Sequence, residues 1–181
     1  MKGEKKLDSL KFLLYTLGRI GIFIAVNLLA AFTGRIIIPA LSSFVPDKSA
    51  VSSFLLNRTN GSVIAWIVLM AFMLVLFFDD GKRHAAYDIY SSISISIVLI
   101  LTLMVYFVPT IFRDSFHAEG KGKAFYSIVY FPVYWLESKF NMKYTTASAL
   151  GVGIILILMF VVYIFSYHLY MKKYKSLYKN N

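Results

Sequence analysis

Asp80, His84, Asp88, Ser92 and Ser96 stand four residues apart, with Ser91 and Ser94 beside them. On a helix a step of four drifts only about 40°, so His84, Asp88, Ser92 and Ser96 form one slanting polar stripe. Entering an apolar layer, such a stripe can carry an ion or a proton. With Asp79 or Asp80 as a further ligand it could hold a metal weakly. The plainer reading is a packing face, because serine lets helices approach closely and hydrogen-bonds across the contact. His84 and Asp88 are then a pair at the interface, and no metal is expected.

A second polar group is Arg113, Asp114, His117 and Glu119. A histidine with two carboxylates can do acid–base work on a headgroup or a lipid-linked substrate. The same residues are ordinary at a solvated helix end. A third candidate is Asn27, with Ala30 and Gly34 on the same helical face. Ala30 and Gly34 have the small-xxx-small spacing of a helix-packing seam, and an amide in an apolar span needs a partner. His168 lies beside Tyr167 and Tyr170, as in an interfacial aromatic belt.

Other chemistry is missing. With no Cys, thiol catalysis, Cys-ligated zinc and disulfides are excluded. There is no nucleophile elbow, no HExxH helix and no phosphate-cradling glycine loop. No catalytic residue and no cofactor is implied.

The elements that must position these residues are apolar. Of 181 residues, 59% are hydrophobic and 15% charged, and mean hydropathy is +0.68. A soluble domain has about 45–50% apolar and about 25% charged residues. The expected fold is an all-α integral membrane protein, a four-transmembrane-helix bundle forming a single membrane domain over residues 1–181. The spans are expected at about 12–38, 62–78, 89–112 and 147–171, each near the roughly 20 residues a hydrocarbon core requires. Arg19 and Arg35 bracket the first span, and Pro39 favours ending it there. The lysine-rich start resembles a signal peptide, but its apolar run is longer than usual and no small-residue cleavage site follows, so it reads as a retained anchor. Trp66 suits an interfacial belt. Gly81 reads as a turn that folds the second and third spans into an antiparallel hairpin. The aromatic stretch at about 124–140 reads as a helix broken at Pro132, lying on the outer leaflet or docking a partner.

The formal net charge is +10. Without a basic helix or an aromatic RNA-binding motif, this does not point to nucleic acid. It points to anionic headgroups of a lipid bilayer. Eleven of the Lys and Arg residues lie on the side of the termini and eight on the other, which predicts both termini in the cytoplasm of a cell membrane. The bias toward Lys, Ile, Tyr and Asn hints at a bacterial source. The function expected first is a non-catalytic subunit or regulator of a transport, channel or secretion assembly, with a protein partner or a homo-oligomer. A membrane enzyme acting on a lipid-linked substrate and a small ion-conducting pore are the alternatives.

Overall fold

The structure, a computed structural model, describes residues 2–87, 92–111 and 127–179. Helix α1 (Lys2–Phe32) continues through a π-helical turn (Thr33–Ile37), a short α-helical stretch (Ile38–Ala40) and a 3-10 turn (Leu41–Phe44). Then come α2 (Ala50–Leu56), α3 (Arg58–Tyr87) and α4 (Ser92–Ile111). A 3-10 turn (Phe131–Val133) leads into α5 (Tyr134–Phe140), and α6 (Tyr144–Lys179) follows. Among the described residues there is no strand.

Three stretches are long and apolar enough to cross a membrane: Ser9–Phe44, Arg58–Tyr87 and Thr145–Tyr174. The third expected span is present as a shorter apolar helix, Ser92–Val108. The outward faces are greasy, with Val75 71% exposed, Ile93 74% and Ile157 65%. Such a surface is compatible with embedding in a membrane.

Helices α3 and α6 run parallel along one seam. From α3, Ala65, Leu69, Met73 and Phe77 are buried, and from α6, Val152, Ile155, Met159 and Tyr163. The first set recurs every four residues and the second at steps of three and four, which places each on one helical stripe. Trp66 Nε1 donates to the Gly151 carbonyl at 3.0 Å, and Ser166 Oγ to the Phe78 carbonyl at 2.6 Å. The expected hairpin partner is therefore replaced: α3 packs chiefly on α6, and α4 packs on α1 and α6. Gly81 explains part of this. It is no turn residue but lies inside α3, where a Cβ would stand 2.6 Å from the Tyr163 carbonyl oxygen. Its missing side chain lets α6 come close.

The far end of α1 also differs from expectation. Pro39 does not stop the helix, which widens into the π turn just before it and goes on to Phe44. A proline ring clashes with the carbonyl four residues earlier, and a widened turn relieves that clash. Here α1 crosses α3 with backbone touching backbone: a Cβ on Gly34 would overlap the Gly61 carbonyl oxygen and stand 2.9 Å from Ala65 Cβ. The Asn57 side chain caps α3 by accepting from the Thr59 N–H at 2.9 Å.

The 127–140 part of the aromatic stretch is docked into the bundle around Pro132, while Glu137, Ser138, Lys139 and Phe140 stay exposed. Its residues 124–126 are outside the described part, but Tyr130, Phe131, Pro132, Val133 and Leu136 are buried among α1, α3 and α6. The reason is visible in its hydrogen bonds. Pro132 has no N–H and cannot continue a helical ladder. The Val129 carbonyl instead accepts from Asn27 Nδ2 at 2.9 Å. Ser62 Oγ sits between two backbone groups, donating to the Phe131 carbonyl at 2.6 Å and accepting from the Trp135 N–H at 2.9 Å. Irregular backbone away from water is tolerated where protein side chains satisfy it in this way.

Ser62→Ala removes that bridge. It is expected to lower unfolding free energy in detergent by about 1–3 kcal/mol, read as an earlier loss of helical circular dichroism on denaturant titration. Gly34→Leu should destabilise more than Gly18→Leu, since Gly18 has open space around it. Equal midpoints for the two leucine variants would contradict the close crossing.

Candidate functional site

The densest buried polar cluster lies at the end of the bundle that carries both termini. Helix α1 supplies Tyr15 and Arg19, α3 supplies Asp80 and His84, and α6 supplies Tyr163. In α1 and α3 the two residues are four apart and so share a face. The helices run antiparallel, so Arg19 near the start of one meets Asp80 near the end of the other.

Asp80 is 2% exposed. The Arg19 guanidinium grips it with two N–H groups, Nε to Oδ2 at 2.6 Å and Nη2 to Oδ1. Tyr15 donates its hydroxyl to Oδ2 at 2.8 Å. The Arg19 guanidinium also lies over the Tyr15 ring, 4.9 Å from its centroid. A carboxylate offers about four lone-pair sites, and three donors already occupy Asp80. The fork geometry is the strong form of this contact. One turn on, His84 Nδ1 is hydrogen-bonded to the Tyr163 hydroxyl at 3.0 Å. Its ring stands edge-on to Tyr15 and to Tyr163, with centroids 5.1 and 5.6 Å away.

Charge is thus matched in place, and the carboxylate is presented to Arg19 and Tyr15 rather than to a ligand. The cluster ties three helices at one level. It is built to clamp, since each member reaches across to a different helix.

The residues singled out from the sequence are distributed as follows. His84 is in the cluster. Asp88 lies outside the described residues. Ser92 is exposed at the start of α4, and Ser96 donates to the Ser92 carbonyl at 3.0 Å. Ser96 lines an apolar groove of about 410 Å³ between α4 and α6, together with Leu99, Leu103, Gly153, Leu156 and Phe160. His84 and Ser96 therefore face different neighbours. Asp79 turns away to an exposed ion pair with Arg83 at 2.7 Å, and among the described residues no three acidic or histidine side chains converge on a metal-sized space. Arg113, Asp114, His117 and Glu119 lie outside the described residues. Asn27, Ala30 and Gly34 are buried on one face of α1. His168 is exposed beside the Tyr167 ring.

Sequence reasoning placed Arg19 and Asp80 separately, at the borders of two spans, and missed their pairing and the tyrosines. The available signal was opposite charge at equal depth on one side, reinforced by the Tyr15–Arg19 and Asp80–His84 spacings.

Removing one partner of a buried ion pair costs about 3–5 kcal/mol, whereas replacing both can be near neutral. Arg19→Gln and Asp80→Asn should each lower stability by about 3 kcal/mol, toward the smaller figure because the Arg19 side chain keeps 19% exposure. The double variant should lose much less than the sum. Strict additivity in a denaturation cycle would refute the clamp. No known family matches this sequence, and no curated protein or solved structure matches it either, so these roles rest on the geometry alone.

Proposed function

We propose that this chain is a multi-pass membrane protein that works without catalysis, as a subunit or regulator of a larger membrane assembly that handles transport or secretion. The bundle is read as four spans, with α4 as the shortest and both termini on the cytoplasmic side. The observation that carries this reading is the engagement of Asp80 by three donors from Arg19 and Tyr15. The strongest acid–base candidate among the described residues is consumed in holding helices together. What the chain offers a neighbour in the membrane is then helix surface, not reactive groups. The common end shared by Tyr15, Asp80 and Ser166 supports placing both termini on one side, and the excess of basic residues there supports the cytoplasmic assignment.

The test is mass measurement from native nanodiscs, combined with photo-crosslinking from Ile157 and Phe72, two exposed positions on α6 and α3. The expected result is a defined larger species, either a self-associated form or a complex with one recurring partner, crosslinked preferentially from one of the two faces. A lone monomer with no specific crosslink from either position would overturn the proposal.

A further inference from the structure

At the opposite end from the ion-pair cluster, two arginines line one small pocket. It has a volume of about 240 Å³ and is bordered by Gly34, Arg35, Pro39, Leu56, Arg58 and Phe131. Each guanidinium is held in place by a neutral group. Arg35 Nη1 donates to Ser127 Oγ at 2.7 Å, and the Arg58 guanidinium stacks over the Tyr134 ring, 4.3 Å from its centroid. Among the described residues neither makes an ion pair. This contrasts with Arg19, whose charge is cancelled by Asp80.

Two positioned guanidiniums without carboxylates, rimming one concavity, attract an anion. Guanidinium suits phosphate in particular, because its N–H fork matches the oxygens. The rest of the lining is apolar, from Pro39, Leu56 and Phe131. A free inorganic anion gains nothing from such a wall, but the glycerol and upper acyl carbons of a lipid do. The volume is below the roughly 300–1,000 Å³ of sites for drug-sized ligands, which fits a headgroup rather than a whole molecule. The pocket also sits where the apolar helix from Arg58 begins, beside the last turns of the apolar stretch Ser9–Phe44. Helix α3 begins here too, but Asn57 already accepts from its Thr59 N–H, so the two side chains are the binding groups.

We infer that the pocket between Arg35 and Arg58 binds the phosphate of an anionic lipid headgroup. The inference uses the membrane reading of the long helices but not the choice between subunit, enzyme and pore.

The test uses the full chain in nanodiscs of phosphatidylcholine and phosphatidylglycerol, with retained lipid counted by native mass spectrometry after gentle release. The wild type should retain phosphatidylglycerol in preference to phosphatidylcholine. Arg35→Gln with Arg58→Gln should cut that retention at least tenfold with no change in melting, because both side chains are exposed. Should the double variant melt early, Leu56→Trp, which fills the apolar wall and leaves both charges, should give the same loss. Equal retention of the two lipids by the wild type would overturn the inference. So would unchanged preference in the variants, or displacement of the lipid by millimolar inorganic phosphate alone. Failure of the chain to stay with the nanodisc would instead strike the membrane reading.

Discussion

A carboxylate withdrawn from water must have its charge matched and its lone pairs filled within the protein, and the Arg19–Asp80 pair meets both demands at once. The geometry around it follows from that need. Tyr15 is four residues before Arg19 because the third donor must come from the same face of α1. Gly81 follows Asp80 because α6 has to approach closely enough for Tyr163 to reach His84. In lipid, helices gain little from hydrophobic association, since acyl chains are as apolar as leucine. Close packing at small residues and hydrogen bonds across helices then carry the assembly, and this bundle uses both.

The same requirement governs the other end. A backbone interrupted at Pro132 leaves carbonyls and an N–H that a helix would have paired. Asn27 and Ser62 each supply side-chain partners, and Trp66 does the same across to Gly151. Asn27 thus has a definite task. Its amide nitrogen supports Val129, and the Tyr130 hydroxyl reaches the Tyr106 carbonyl of α4. The short segment 127–140 links α1, α3, α4 and α6, and its burial explains why so many aromatic residues are concentrated in so few positions.

Much of the architecture is legible from local pattern. The apolar runs mark the long helices, and the recurrence of Asn27, Ala30 and Gly34 marks the buried face of α1. Pairings between distant residues are not local. Arg19 and Asp80 are separated by 61 positions, and no periodicity reports that they meet. Gly81 misleads because a glycine after two aspartates has the composition of a turn, while its use here is to admit another helix. The aromatic stretch misleads for a similar reason: tyrosine and tryptophan suit a headgroup layer, but their polar tips serve equally well against backbone groups inside a bundle.

Side chains of neighbouring helices pair the backbone groups interrupted at Pro132, which keeps this segment inside the bundle rather than against lipid or water. The chain has no native cysteine, so single cysteines can be placed at Val133, which is 2% exposed, and at Ser138, which is exposed. Labelling in intact membranes with a water-soluble maleimide should modify the cysteine at 138 readily and the one at 133 only after denaturation. Equal labelling rates at the two positions would contradict the account.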